Sequence, residues 1–229
     1  MRAPTETHPR APSGEFFMTK PVLYDYFHAP NPLRARILLA EKGIEYDKAE
    51  VDLSKGEQLS PEYQKINFAC TTPTLKLADG TLITDNAGIA AWAEAFKPEP
   101  PLLGRSPGEK GQVAALAMWA LENGFYACGE AFRNSVEMFV NRGVPGVDDH
   151  AQIPALAERG RKRAERFLKT LDERLDGKRF LAGDAFSYAD ITAWVAANFA
   201  KRIGIEPGPE LANVARWYDE IAERPSVKG

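Results

Sequence analysis

Cysteine is nearly absent from this chain: Cys70 and Cys128 are the only two in 229 residues, and they form no CxxC. Two is too few for a disulfide scaffold, which points to a reducing compartment and a cytoplasmic location. Basic charge is not in excess either. The 29 Lys and Arg stand against 32 Asp and Glu, a formal net charge of −3 at pH 7, so no global positive field exists to gather nucleic acid or an anionic membrane. No apolar run attains membrane-spanning length, and residues 1–20 lack the apolar core of a signal peptide. That opening, rich in Pro, Thr and Arg, reads as a disordered extension, with Met18-Thr19-Lys20 a more natural start than Met1. Internal repeats are missing, and nothing in the sequence predicts a metal site.

What is present is ordinary for a soluble globular protein: 44% apolar and 27% charged residues, with enough length for a substantial core. The chain has two halves with different patterning. Residues 22–27 are β-rich, and residues 33–42 carry Leu33, Ile37, Leu38 and Ala40 in helical register before Gly43, a good stop. Residues 46–53 read as a strand and 61–66 as a short helix. Strands at 74–77 and 82–83 flank Asp79-Gly80, a hairpin signal, and a helix follows over about 86–96. The order β-α-β-α-β-β-α is that of a thioredoxin-like layer. Lys97-Pro98-Glu99-Pro100-Pro101 is a stiff connector. Beyond it helical periodicity dominates, over 111–140, 153–175, 188–203 and 211–223. The expected organisation is a thioredoxin-like α/β domain over 21–97, a linker over 98–108 and an all-helical C-terminal domain over 109–229.

The stretch richest in chemistry is Thr72-Pro73-Thr74-Leu75, followed by Asp85-Asn86-Ala87-Gly88. Proline opening a strand needs no donor there, and an X-Pro bond is the usual place for a cis peptide. A cis Pro73 would turn the Thr72 backbone outward to pair with an extended peptide. The helix start near Asn86 offers N–H groups and a positive dipole end to a carboxylate. A peptide-binding edge beside a carboxylate-binding helix end suits a small acidic peptide, glutathione above all.

Several motifs then agree across nearly the whole chain after the first twenty residues. Ala40-Glu41-Lys42-Gly43-Ile44, Val51-Asp52-Leu53-Ser54-Lys55-Gly56-Glu57-Gln58, and Asn67 to Leu75 come in order. Phe180-Leu181-Ala182-Gly183-Asp184, Phe186-Ser187-Tyr188-Ala189-Asp190-Ile191 and Arg224-Pro225-Ser226-Val227 complete the set. Together they resemble the soluble glutathione transferases, bacterial-like. The Pro30-x-Pro32-x-Arg34 pattern resembles an atypical branch without the usual catalytic Ser, Tyr or Cys. Phe68, Cys70 and Thr72 depart from the family's Asn-Pro-x-Gly-x-Val-Pro. The Ser187 to Asp190 motif has a structural reading: Ser187 as N-cap, Asp190 returning a bond to the cap N–H, and Phe186 and Ile191 at staple positions.

The resemblance implies that Thr72, before a cis Pro73, pairs with the cysteinyl residue of glutathione. Asp85 would face its γ-glutamyl ammonium, Asn86 the neighbouring carboxylate, and Gln58 the glycyl carboxylate. The same residues read equally as helix caps and a loop glutamine. The serine position of the family falls on Ala29, which has no donor, and the cysteine position on Asn31. Asn31 is a candidate thiol donor, though Asn31-Pro32 is also a helix cap followed by proline. Tyr26 is the rival donor, or a strand-end core tyrosine. The helix N-terminus adds a further favourable field for a thiolate. Phe125, Tyr126, Phe132 and Arg133 are candidates to line a pocket between the domains for a small hydrophobic electrophile, or else core. His28 reads as a loop residue, Cys70 and Cys128 as small core residues, and Arg159 to Arg163 as a solvated face. The implied protein is a homodimeric detoxification enzyme, a glutathione S-transferase using glutathione as co-substrate and no metal. A glutathione-dependent disulfide or peroxide reductase, and a catalytically weak glutathione-binding protein, are the alternatives.

Overall fold

A computed structural model describes residues 20–228, so the expected extension and the Met18 start lie outside the described residues except for Lys20. Strand β1 (Val22–Asp25) lies at the centre of a small sheet with β2 (Asp47–Glu50), β3 (Thr74–Lys76) and β4 (Leu82–Ile83), in the order β2-β1-β3-β4. β2 is parallel to β1, while β3 is antiparallel to β1 and β4 to β3. Helices α1 (Pro30–Glu41), α2 (Pro61–Gln64) and α3 (Asn86–Phe96) complete this half. β2 is shorter than the expected strand at 46–53. Its ladder ends where Val51 N–H reaches Asp25 O at 2.8 Å, and Asp52 then caps a tight turn by accepting from Ser54 N–H at 2.9 Å.

The second half is helical: α4 (Pro107–Ala120), α5 (Tyr126–Arg133), α6 (Pro154–Leu175), α7 (Tyr188–Ala200), α8 (Ala212–Ala222) and α9 (Pro225–Lys228). The segment expected as one helix over 111–140 is broken. Leu121–Phe125 forms a π-turn, in which Tyr126 N–H bonds back to Leu121 O. The loosened ladder is served by side chains: Asn123 donates to Trp119 O at 3.0 Å and Arg163 to Glu122 O at 2.6 Å. Gly124 faces the Phe167 ring, where a Cβ would stand 2.7 Å from ring carbon. The basic run on α6 is not merely solvated. Arg159 and Arg163 bond Glu130 of α5 at 2.6 and 2.9 Å, clamping the two helices.

α7 is buried almost all round, with Ala189, Ala193, Ala196, Ala197 and Ala200 fully enclosed. Small side chains let its neighbours approach closely on every side. Its start is fixed by Asp190, which is fully buried. One carboxylate oxygen accepts from Ser187 N–H (3.0 Å) and the Ser187 hydroxyl (2.8 Å). The other accepts from Leu181 N–H (2.8 Å) and Trp217 Nε1 (3.0 Å). The predicted cap is therefore also a junction, joining the Phe180-Leu181 turn to α7 and α8. Phe186 packs edge-on against Phe180 and beneath the Arg224 guanidinium.

The C-terminal end of α1 anchors two distant segments. Lys42, 1% exposed, donates to Lys97 O (3.0 Å), Pro98 O (3.1 Å) and Pro100 O and pairs with Glu94, so one ammonium group gathers the proline-rich connector. Glu41 accepts from Arg224 at 2.8 and 2.7 Å and from Ser226, fastening the end of the chain to the first helix. Burial works to raise the Glu41 carboxyl, but the bonds from Arg224 and Ser226, with the Arg224 charge, outweigh it and hold the group below its ordinary value. The native chain thus favours the ionised form. This stabilisation is complete above the ordinary glutamate range, about 4.3, and is lost as pH falls through the lowered native value. Glu41→Gln should cost about 1–3 kcal/mol near neutral pH. In thermal unfolding at a series of pH values, the gap between the two proteins should narrow below about pH 4; a gap that stays constant down to acid would refute the assignment.

Candidate functional site

Because β3 runs antiparallel to β1, with Thr74 opposite Tyr24, the residues that precede β3 fall beyond the end of β1, where α1 begins. The Thr72–Pro73 peptide there is cis, as expected. Asn67, 1% exposed, supports the loop by donating to Thr71 O (2.8 Å), Thr71 Oγ1 (3.3 Å) and Thr74 Oγ1 (3.2 Å). The Tyr63 hydroxyl adds a bond to Thr71 O at 2.7 Å. Cys70, at the glycine position of the resembling pattern, takes a left-handed φ of 54°, a conformation that costs an ordinary residue about 1–2 kcal/mol.

The start of α1 differs from the expected cap. The helix begins at Pro30 with Ala29 as N-cap, so Asn31 is inside the first turn and its side chain is free to reach elsewhere. Prolines at the first and third helical positions carry no N–H, leaving Asn31 the only residue of those three with a backbone donor. Its side chain bridges two segments. Nδ2 donates to Thr72 O at 3.0 Å, and Oδ1 accepts from Asn86 Nδ2 at 3.0 Å and from an Arg34 terminal nitrogen at 3.3 Å. Asn86 Nδ2 also donates to Asn31 O at 3.1 Å. An amide nitrogen has two hydrogens, and the second on Asn31 has no partner among the described residues.

Thr72 is 4% exposed. Its carbonyl is engaged from within by Asn31, and its N–H has no partner among the described residues. The Asn86 side chain, expected to meet a carboxylate, is turned inward. Its amide is 1% exposed and turned to Asn31, with Oδ1 buried and unpartnered. Asp85 is exposed and caps α3, accepting from Ala87 N–H at 2.6 Å. Gln58 lies half-buried in a short turn after β2, its Oε1 enclosed without a partner. Tyr26 is half-buried just past β1, its ring edge-on to His28 at 5.5 Å. It makes no bond to Asn31.

The residues that sequence reasoning missed stand behind Asn31. Arg34 is 4% exposed. One terminal nitrogen meets Asn31, and the other donates to the Tyr188 hydroxyl (2.8 Å) and Thr192 Oγ1 (3.3 Å) of α7. The guanidinium lies between the rings of Phe125 and Tyr188, 5.7 and 5.6 Å from their centroids, and its Nε is buried without a partner. Burial pushes the Tyr188 phenol above its ordinary value, against the pull of Arg34. The signal in the sequence was an arginine where helical spacing to Ile37 and Leu38 calls for an apolar residue.

Of the four pocket candidates, only Phe125 adjoins this junction, through Arg34. Tyr126 is 54% exposed with its ring edge-on to Phe125. Phe132 turns to Phe139 and Phe199, and Arg133 donates to Arg142 O at 2.8 Å while covering Phe139. These two support the loop after α5. Neither cysteine offers a reactive thiol here: Cys70 is 4% exposed, and burial pushes the Cys128 thiol up to about 12.

Comparison with known proteins identifies the relatives of this arrangement. The family model "Glutathione S-transferase, N-terminal domain" matches residues 28–95, and "Glutathione S-transferase, C-terminal domain" matches residues 136–225. Over 221 residues the chain is 31% identical to glutathione S-transferase 2 of Saccharomyces cerevisiae, covering 94% of this chain and 91% of that protein. It is 27% identical over 211 residues to maleylacetoacetate isomerase of Rattus norvegicus, covering 91% and 84%. The crystal structure of a glutathione S-transferase domain-containing protein of Marinobacter aquaeolei superposes with a TM-score of 0.83 at 31% identity, covering 90% of this chain and 99% of that one.

Proposed function

The chain belongs to the glutathione S-transferase family, and on that premise we propose that it conjugates the glutathione thiolate to a small hydrophobic electrophile, in the branch without a Ser, Tyr or Cys donor. The carrying observation is the Asn31 junction: one side chain ties the start of α1 to the loop before Pro73 and to α3, and still holds a spare N–H. In this reading the cysteinyl residue pairs with the Thr72 N–H and its sulfur meets that spare donor. Asp85 and Gln58 serve the ends of the peptide, at the exposed start of α3 and the turn after β2. A free thiol ionises near 8.5, so it needs about two units of lowering for use at neutral pH. The Asn31 N–H groups and the α1 dipole act in that direction. The thiolate then forms the new carbon–sulfur bond, and the electrophile's leaving group departs with the electron pair.

The disulfide-reductase reading has less support, because Asn31 supplies no nucleophile and both cysteines are enclosed. A homodimer in the cytoplasm fits the same reading. Phe68, 84% exposed on the loop leading to Thr72, and the half-exposed Met118 and Tyr126 give apolar surface for a second copy to cover. Sedimentation should give twice the chain mass at working concentration, and a monomer would count against it.

Retention on immobilised glutathione, turnover of an aryl halide and inactivity on a model disulfide together test the reaction. Retention without turnover would favour a binding protein, and disulfide turnover a reductase. Asn31→Ala should cut kcat/KM more than tenfold, over about 1.4 kcal/mol, and raise the bound thiol's pKa. Tyr26→Phe should change kcat/KM by less than that. The exchanged result would make Tyr26 the donor. Melting curves accompany both, since Asn31→Ala also removes bonds worth about 1 kcal/mol each.

A further inference from the structure

A buried arginine normally faces a carboxylate. Among the described residues none lies within 4.0 Å of Arg34. Its bonded partners are neutral: an amide, a phenol held protonated by burial, and a hydroxyl. Around it lie two aromatic rings and α7, buried almost all round. Arg34 is 4% exposed, so its charge is poorly screened. It is directed at the one amide that also touches Thr72.

We propose that Arg34 is the electrostatic positioning residue of the thiol site, its unanswered charge favouring the bound thiolate both directly and by polarising the Asn31 amide. This rests on the proposed function, in which glutathione lies along Thr72. Drawing electron density toward Asn31 Oδ1 leaves the Nδ2 hydrogens more positive, and hydrogen bonds linked in series strengthen one another. Asn86 donates to the same oxygen and adds to the effect. The orphaned charge, a cost to folding, is then matched when an anion binds.

The other groups that face this junction set the background. Asp85, at the start of α3, acts on Tyr188 in the opposite sense to Arg34, but it is exposed and screened. His28 is exposed on the turn after β1, where Arg202 binds its carbonyl at 2.7 Å. Arg36, also on α1, is already paired with Asp25 at 2.7 Å.

The test uses the full chain and glutathione itself, following the ultraviolet absorbance of the bound thiolate against pH, with affinity measured by calorimetry at acid pH where the thiol is protonated. Arg34→Gln should raise the thiol midpoint by about one unit, a tenfold change in the acid dissociation constant, which from a midpoint near 6.5 leaves about a third of the thiolate at pH 7, while acid-pH affinity changes less than about threefold. Arg34→Lys should recover part of the shift, since the charge stays and the planar fork is lost. Thr192→Asp keeps the arginine and sets a carboxylate beside it. The same upward shift is expected there, and this variant decides the matter if Arg34→Gln does not fold. Variants that melt earlier but titrate like the wild type would assign Arg34 a purely structural role and overturn the proposal. Wild-type protein that fails to bind glutathione would instead overturn the proposed function, and this inference with it.

Discussion

The first helix is enclosed along most of its surface. It packs against α7, α3 and α9, with Ala40 its one exposed residue, so a polar group on its buried faces must find a partner inside the protein or be left unsatisfied at a cost of about 1–3 kcal/mol. That constraint distributes its side chains. Asn31 reaches the loop before Pro73 and the start of α3. Arg34 reaches α7. Glu41 holds the end of the chain and Lys42 the connector. Four residues of one twelve-residue helix and its cap thereby tie both halves together and join the loop before Pro73, the start of α3 and α7.

Much of this is legible in the sequence, and the reason differs from element to element. The Asp79-Gly80 hairpin and the helix Asn86–Phe96 are readable because turn chemistry and capping are local. The motifs around Glu41-Lys42 and Arg224-Pro225-Ser226 are visible as a likeness, but their physical reason is not. Each is half of a bond that closes across more than fifty or a hundred and eighty residues of chain, and sequence spacing says nothing of such distances. The start of α1 is misplaced by sequence reasoning because Asn-Pro is a good cap signal wherever it occurs. Here Ala29, with Pro30 after it, takes that place.

The candidate site divides in the same way. The loop around Thr72 and Pro73 is found from backbone chemistry, which a proline announces. The side chains behind it are missed, because Arg34, Tyr188 and Thr192 meet only when the helical half is folded onto α1. Phe132 and Arg133 join Phe125 on helical spacing alone. The π-turn and the loop after α5 separate their surroundings, a difference that periodicity does not register.

That π-turn sets the rotational phase of α5. Each residue of an α-helix advances the side-chain direction by about 100°, and Leu121–Phe125 accommodates one residue more than a regular turn would. Removing a single residue here would restore a regular helix and rotate α5 as a body. Glu130 would swing away from Arg159 and Arg163, and Phe132 from Phe199. The length of the chain at this point is therefore as constrained as its composition, whereas the exposed stretch from Val144 to Asp149 leaves room for chain length to vary among relatives.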